Sequence, residues 1–279
     1  MLKRIITSLV AVCVLVPVLV FSETAVLPIA IAIATVIGLF EMLRCMGVHK
    51  KYYLSLPLYV VACVVPFMMR YFDSKSKAAA VAFIMASIYL IVVFISVIWS
   101  HGKFHFADGM AVFTVSAYII TAMNSIIYVR DFGDEGKYIY LLIFLGAWIT
   151  DIFAYFTGVF IGKHKLIEDV SPKKTIEGSI GGIVFCALFF VGFGVVVDLF
   201  FDKSANILFL AISGVVVSII SQVGDLIMSV IKRHYGIKDY GKLFPGHGGM
   251  IDRFDSVLAV SLGMTVICMF AGLVGISLI

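Results

Sequence analysis

Residues 238–256, KDYGKLFPGHGGMIDRFDS, place charged side chains and glycines together between two long apolar runs. Glycine lets the backbone adopt a positive φ and lets amide groups approach an anion closely. Carboxylate oxygens are suitable ligands for Mg²⁺, and lysine or arginine neutralises the remaining charge of a phosphate. The stretch therefore predicts a site for phosphate groups and Mg²⁺. The residues assigned to this site are Lys238, Asp239, His247, Gly248, Gly249, Asp252, Arg253 and Asp255.

Asp252 and Asp255 also have a purely structural interpretation. A carboxylate at the start of a helix is favoured by the helix dipole and accepts hydrogen bonds from amides that lack a helical partner. Such a cap explains one aspartate, but it does not explain the other charged residues of the same stretch. Capping and ligand binding both stay open for these two residues.

The apolar run before this loop, SQVGDLIMSVIKRH (221–234), contains the carboxylate of Asp225. Spacings of four, four and three residues put four polar side chains on one helix face: Ser221, Asp225, Ser229 and Lys232. At about 1.5 Å per residue, Asp225 lies on the order of 10 Å deeper than Lys232. An unpaired carboxylate there costs roughly a few kcal/mol. Either a lysine neutralises Asp225 or Asp225 binds a cation, and we favour the cation because the polar face continues into the loop.

A second polar segment, 162–177, follows a helix with its own carboxylate, Asp151. Asp151 shares a helix face with Gly158 and Gly162, a GxxxG pair that permits close helix contact. A carboxylate buried at membrane depth needs a partner or a function. The loop combines lysines with hydroxyl groups, which suits nucleotide phosphates, although a basic loop can also only set the topology or contact anionic lipid. The residues assigned to phosphate binding here are Ser171, Lys173, Lys174 and Thr175.

The composition is that of a membrane protein. Hydrophobic residues make up 62% of the 279 residues and charged residues 14%, against roughly 45–50% and 25% in soluble domains. Many apolar runs approach the length of about 20 residues that crosses a bilayer. We predict an all-α, polytopic integral membrane protein with about nine transmembrane helices, at 5–21, 25–43, 53–69, 78–99, 107–129, 138–161, 178–200, 205–230 and 257–278.

The distribution of lysine and arginine orients these helices. With the N-terminus in the cytoplasm, fifteen of the 21 basic residues lie on the cytoplasmic side, together with both long polar loops. We therefore predict a protein of the inner, cytoplasmic membrane with its active site facing the cytoplasm. Within a single membrane domain, residues 1–100 are expected to form N-terminal helices with a dimer or lipid-facing role. Residues 101–279 are expected to form the catalytic region.

The two polar segments resemble the phosphatidate cytidylyltransferases, also called CDP-diacylglycerol synthases. The residues similar to the long signature of that family are Ser229, Lys232, Arg233, Lys238, Asp239, Gly241, Phe244, Pro245, His247, Gly248, Gly249, Asp252, Arg253 and Asp255. The residues similar to its other motif are Trp148, Asp151, Tyr155, Gly158, Gly162, Lys163, His164, Ser171, Pro172, Lys173, Lys174, Thr175, Glu177 and Gly178. The first 100 residues resemble the family only as apolar helices. Met228 stands where bacterial members commonly have glutamate, so the contact expected of that glutamate is not carried over.

The resemblance implies transfer of CMP from CTP to phosphatidic acid, which gives CDP-diacylglycerol and pyrophosphate. It also implies Mg²⁺, or two cations of which one is monovalent, in a homodimer within the bilayer; no nucleic acid partner is expected. Asp225 and Asp252 are assigned as metal ligands, with Asp255 or Asp239 as a further ligand or neighbour. The residues assigned to CTP or lipid phosphate, directly or through hydroxyl and backbone groups, are Ser171, Lys173, Lys174, Thr175, Ser229, Lys232, Arg233, Lys238, His247, Gly248, Gly249 and Arg253.

Two alternatives stay open. A related CTP-dependent enzyme that acts on another membrane lipid phosphate or on a lipid alcohol would need the same loops. A cation-coupled transporter would use Asp151 and Asp225 to bind ions, but transporters place such sites near the midplane on broken helices. The polar residues here gather in loops at one face, which favours an enzyme. Its central requirement is that Asp225 and Asp252 converge on a divalent ion.

Overall fold

The computed structural model describes residues 2–72, 74–201 and 204–279 and is almost entirely α-helical. Lys203, one of the basic residues used to orient the helices, lies outside the described residues. In chain order the described elements are α1 (Leu2–Val20), α2 (Val26–Cys45), α3 (Tyr52–Tyr71), α4 (Lys75–Trp99), α5 (Phe106–Arg130), α6 (Gly136–Ile139), α7 (Leu141–Ile161), β1 (Lys165–Ile167), β2 (Ser171–Thr175), α8 (Ile176–Phe201), α9 (Ile207–His234) and α10 (Ile251–Val274).

Within these described residues, eight helical segments are long and apolar enough to cross a membrane. They are α2 to α5, the continuous segment Gly136–Ile161, and α8 to α10, while α1 contributes a shorter apolar stretch, Leu9–Val20. Large apolar side chains such as Phe160 and Leu273 point outward, as expected where lipid rather than water covers the surface. The predicted all-α polytopic membrane fold is confirmed. The ninth span and the cytoplasmic side of the N-terminus stay predictions.

The two helices that flank the last polar segment are longer than their apolar runs. α9 continues to His234 and α10 begins at Ile251, whereas we predicted an end at 230 and a start at 257. Helical hydrogen bonds do not require apolar side chains, and the basic residues Lys232 and Arg233 in the last turn complement the negative end of the helix dipole. The loop between the helices therefore shortens to residues 235–250.

The first compact unit contains residues 1–128 and 237–253. Within it, α2 packs against α3, and α3 packs against α4. The loop after α9 and the first three residues of α10 belong to this unit, although they come late in the sequence. The predicted functional division at residue 100 stays a prediction.

The second compact unit contains residues 129–236 and 254–279. Its centre is formed by α7, α8 and α9, which pack on one another. Glycines permit this close packing, because a Cβ at Gly146 would lie 2.7 Å from Val217 and a Cβ at Gly214 would lie 2.8 Å from Ala187. Small residues at helix interfaces are the usual means of close packing in membranes.

The polar segment 162–177 contains a small antiparallel hairpin, in which Lys165 pairs with Thr175. Glu177 holds the base of the hairpin, since its carboxylate lies 2.6 Å from His164 Nδ1 and accepts a hydrogen bond from Lys163 N at 3.1 Å. Thr175 Oγ1 accepts a hydrogen bond from Gly178 N at 3.1 Å and so caps α8. The sequence predicts only a polar loop here, because strands this short and this polar show no alternation of apolar residues.

Candidate active site

The side chains that are predicted to carry chemistry lie in two groups, one in each compact unit. The carboxylate cluster, in the second unit, consists of Asp151, Asp225 and Asp255 with the lysines Lys174 and Lys232. The glycine loop, in the first unit, consists of residues 237–250 and leads directly into α10.

The hairpin delivers Lys174 to the carboxylate cluster. Lys174 Nζ lies 2.6 Å from Asp225 Oδ2, and this nitrogen has no access to solvent. About a quarter of each side chain is exposed, 24% for Lys174 and 26% for Asp225. This ion pair is the neutralisation that the sequence left open for Asp225, but its lysine comes from a β-strand rather than from a helix. The pair accounts for a carboxylate inside an apolar helix.

Asp255 and Asp151 lie around this ion pair. Asp255 is within electrostatic range of Asp225, Lys232 and Asp151. Asp151 accepts a hydrogen bond from Ser256 Oγ at 3.4 Å and is exposed on the surface of the chain. Its position at membrane depth stays a prediction. The three carboxylates outnumber the two lysine ammonium groups of the cluster, so a cation would relieve their repulsion.

Glycine brings α9 and α10 close together beside the cluster. A Cβ at Gly224 would collide with Ala259 of α10 and would lie 3.1 Å from the carbonyl oxygen of Asp255. The close approach puts Asp225, the next residue along α9, beside Asp255. On the same helix, Ser229 Oγ lies 3.5 Å from Asp225 Oδ1, the outer limit for a hydrogen bond.

The oxygen groups of the cluster suit a hard divalent cation. Mg²⁺ is usually held by one or two carboxylates, with substrate phosphates and water completing its shell. Among the residues that the structure describes, no group of three or more His, Cys, Asp or Glu side chains is arranged to hold a metal ion. Asp225 and Asp255 offer oxygen donors of the kind that Mg²⁺ takes, and which carboxylates hold the ion stays a prediction.

Asp252 organises the glycine loop. Its side chain is 7% exposed, and its Oδ2 accepts hydrogen bonds from Tyr240 N at 2.8 Å and from Gly249 N at 2.9 Å. Both amides precede α10, so Asp252 binds the backbone of the loop rather than the free amides in the first turn of the helix. Asp255 faces the carboxylate cluster. Asp252 belongs to the first unit and Asp225 to the second, so their predicted convergence on one ion stays a prediction.

The glycines of the loop form a tight turn around His247. Gly246 and Gly248 adopt φ values of +83° and +88°, which confirms the expected positive φ for these two glycines, whereas Gly249 does not have a positive φ. Phe244 N donates to Gly248 O at 2.9 Å and His247 N donates to Phe244 O at 2.8 Å. A Cβ at Gly248 would also lie 2.7 Å from Asp252 Oδ2, so position 248 needs glycine for both conformation and space.

Two residues of α2 that we had not assigned to the site contact the same loop. Glu41, which is 4% exposed, accepts hydrogen bonds from Met250 N and Ile251 N, each at 3.0 Å. Arg44 Nη2 donates to Tyr240 O at 2.7 Å. The available signal was Glu41 itself, a carboxylate inside an apolar helix, which is the criterion that had singled out Asp225.

The remaining assigned residues divide by exposure. The exposed side chains are those of Lys173, Arg233, Lys238, Asp239 and Arg253. The half-buried side chains are those of Ser171, Thr175, Ser229, Lys232 and His247. Their roles in binding stay predictions.

Fold and site together define a polytopic α-helical membrane protein whose polar clusters suit phosphate groups and a cation. The family model described as Cytidylyltransferase family matches residues 2–271, and the chain belongs to this family. The resemblance seen in the two motifs is thereby confirmed.

Curated relatives named phosphatidate cytidylyltransferase are similar to this chain. The protein of Staphylococcus epidermidis is 33% identical over 257 residues, which cover 92% of this chain and 95% of the relative. The protein of Staphylococcus haemolyticus is 40% identical over 161 residues, or 58% of this chain and 59% of the relative. The protein of Staphylococcus aureus is 39% identical over 165 residues, with the same two shares of 58% and 59%.

Proposed function

We propose that this chain is a phosphatidate cytidylyltransferase, which transfers CMP from CTP to phosphatidic acid in phospholipid synthesis. The observation that carries this proposal is the likeness to the Staphylococcus epidermidis protein of that name, which extends over 95% of that relative. The ion pair of Lys174 with Asp225 and the glycine loop support it, because both offer groups that bind phosphate.

The proposed reaction makes limited demands on the protein. A phosphate oxygen of phosphatidic acid forms a bond to the α-phosphorus of CTP, and the bond from that phosphorus to the oxygen bridging the α- and β-phosphates breaks. Pyrophosphate leaves with the electron pair of that bond. The attacking phosphate is already an anion at neutral pH, so the step needs little help from a general base. The protein must chiefly bring two polyanions together and stabilise the charge that develops on the leaving group.

We assign this task first to the carboxylate cluster. Lys174 pairs with Asp225 at 2.6 Å, and a phosphate that enters the cluster would replace Asp225 as the partner of its ammonium group. Asp225 and Asp255 would hold Mg²⁺, with Asp252 and Asp239 as further candidates, and the ion would neutralise phosphate charge when bound. A second, monovalent cation belongs to the same proposal.

We assign CTP to the glycine loop and the exposed basic residues beside it. The positive φ at Gly246 and Gly248 turns the backbone around His247. Lys238 is exposed near the start of the loop, and Arg253 is exposed in the first turn of α10. Lys173, at the hairpin, is a further cation for the triphosphate or the lipid headgroup.

The proposed setting is the cytoplasmic membrane, with both polar segments facing the cytoplasm and the protein acting as a homodimer. The orientation is supported by the fifteen of 21 basic residues that fall on that side. In this arrangement CTP approaches from the cytoplasm and the lipid headgroup from the membrane surface.

A direct assay tests the activity. The protein is purified in detergent and supplied with CTP labelled at the α-phosphate, phosphatidic acid and Mg²⁺, and CDP-diacylglycerol and pyrophosphate are measured. A folded protein that forms neither product contradicts the proposal. Parallel reactions with another lipid phosphate or with a lipid alcohol test the alternative enzymes, and EDTA tests the need for a divalent ion.

A further inference from the structure

We infer that Glu41 of α2 is a positioning residue for CTP, because its carboxylate sets the backbone at the junction of the glycine loop and α10. The inference rests on the proposed role of that loop in binding CTP. Glu41 lies in the part of the chain to which the sequence motifs gave no specific role.

The two oxygens of Glu41 divide between two consecutive amides. Oε1 accepts from Met250 N and Oε2 accepts from Ile251 N, each at 3.0 Å. These amides stand at the start of α10, where the first N–H groups of a helix have no partner within it. A carboxylate there makes charge-assisted hydrogen bonds and also interacts favourably with the positive end of the helix dipole. Glu41 thus caps α10 from another helix.

The loop is shaped around the Glu41 carboxylate. A Cβ placed at Gly241 or at Gly249 would collide with that carboxylate. The three atoms nearest to such a Cβ at Gly249 all belong to Glu41. Unlike Gly246 and Gly248, these two glycines are not among the residues with positive φ. They are needed for the space that they leave rather than for their conformation.

Glu41 and Asp252 share the hydrogen bonding of one short backbone segment. Gly249 N donates to Asp252 at 2.9 Å, and the next two amides donate to Glu41. Tyr240 links Asp252 to α2, because its N–H donates to Asp252 and its carbonyl accepts from Arg44 at 2.7 Å. Tyr240 and residues 249–251 are therefore held by fixed acceptors and donors. His247 lies between these two points, and Lys238 and Asp239 come directly before Tyr240.

Glu41→Gln tests this role in the full-length protein. The change keeps the length of the side chain, removes its charge and puts an NH₂ group against one backbone N–H. We expect the KM for CTP to rise about tenfold, because two charge-assisted hydrogen bonds weaken. The KM for phosphatidic acid should change by less than about twofold, since its proposed contacts lie elsewhere. Hydrogen exchange of the peptide that covers residues 244–253 should become faster.

Thr35→Val is the matched control. Thr35 is fully buried in the same helix, and its hydroxyl donates to Ile31 O at 2.6 Å within α2. We expect this variant to lose some thermal stability but to keep the wild-type KM for CTP. If Glu41→Gln lowers stability as Thr35→Val does and also leaves the KM for CTP unchanged, Glu41 is only structural and the inference is overturned.

Gly249→Ala, alone and combined with Glu41→Ala, tests the shaping of the loop. Alone, the added methyl group meets the Glu41 carboxylate and should raise the KM for CTP. In the Glu41→Ala background the methyl group has room, so Gly249→Ala should add little to the effect of Glu41→Ala. If the double variant instead raises the KM for CTP by the product of the two single increases, the two sites act independently and the loop is not shaped around Glu41.

Lys238→Met separates a failure of this inference from a failure of the proposed function. CTP affinity is measured by calorimetry with Mg²⁺ and without lipid, so the readout does not depend on turnover. If Lys238→Met weakens CTP binding and Glu41→Gln does not, only the role of Glu41 is refuted. If neither change affects CTP binding, the glycine loop is not the CTP site, and both proposals for the loop are refuted.

Discussion

Acidic groups lie at the glycine loop and in the carboxylate cluster, but their charges are satisfied by different partners in the two places. Glu41 and Asp252, which bind the backbone at the glycine loop, are 4% and 7% exposed, and each accepts two hydrogen bonds from backbone amides. In the carboxylate cluster, Asp225 is 26% exposed and pairs with the side chain of Lys174. A side chain can exchange partners by rotation, whereas a backbone amide at a helix start cannot move without unfolding that turn.

The difference indicates a division of work. Carboxylates bound to backbone amides hold a shape, and those that face lysines and serines can change partners when a substrate or cation arrives. Among the predicted metal ligands, Asp225 and Asp255 therefore fit that role better than Asp252, whose Oδ2 already accepts two amides. The following substitutions test this comparison, beginning with the largest expected effect.

Asp225→Asn should cause the greatest loss of activity. It removes the proposed cation ligand and leaves the ammonium group of Lys174 without its counter-ion, so we expect kcat/KM to fall about 10³-fold. The assay is incorporation of label from CTP into lipid, with thermal stability as the measure of folding. Asp198→Asn is the matched control, because Asp198 accepts from Ala205 N at 2.6 Å elsewhere on the second unit. A fully active Asp225→Asn protein would remove Asp225 from the mechanism.

Asp252→Asn and Asp255→Asn should distinguish a carboxylate that holds the shape of the loop from one that binds a cation or substrate. Asp252→Asn weakens two backbone hydrogen bonds, so we expect about 2 kcal/mol less stability, together with roughly 10²-fold less activity. Asp255→Asn should lower activity by a similar factor without lowering stability, because it reduces repulsion with Asp225 and Asp151. Thermal unfolding in detergent measures the difference. Equal destabilisation by the two changes would mean that Asp255 is also structural.

Lys174→Met should reduce kcat/KM by about 10- to 100-fold. The change removes a proposed phosphate contact and leaves Asp225 without this partner. Lys174→Arg keeps the charge and should recover part of the activity. Lys165→Met, in the paired strand, serves as a control, since Lys165 Nζ donates to Pro172 O at 2.5 Å within the hairpin. An inactive Lys165→Met protein would indicate that the hairpin, rather than Lys174, is what the enzyme needs.

Gly248→Ala should have the smallest effect of the series on activity and a measurable effect on stability. Alanine at a φ of +88° costs about 1–2 kcal/mol, and the added Cβ would lie 2.7 Å from Asp252 Oδ2. Gly236→Ala is the control, because Gly236 has a φ of +65° but no atom within 4 Å of the added Cβ. If Gly236→Ala lowers the thermal stability more than Gly248→Ala does, crowding at Asp252 does not explain the effect of Gly248→Ala.

Local patterns predicted the helices and the polar segments, because apolar runs and clustered charges are visible along the chain. Asp225 was found as a carboxylate within an apolar run. Glu41 met the same criterion but stood outside any motif, and its partner Met250 is 209 residues away. Lys174 was predicted as a phosphate ligand, yet its pairing with Asp225 depends on where the hairpin folds. The spacing of residues along the sequence shows which side chains share a helix face. It does not show which distant backbone amide will donate a hydrogen bond to a carboxylate.

The long sequence separation between Glu41 and its partners has a consequence for how the protein is made. Chains are synthesised from the N-terminus, so α2 exists well before Met250, which lies 209 residues later, leaves the ribosome. Until then Glu41 has neither of the amides that it binds in the finished protein. Docking of the start of α10 onto α2 consequently cannot precede the synthesis of residues 250 and 251, and a nascent chain stalled before residue 250 would lack this contact.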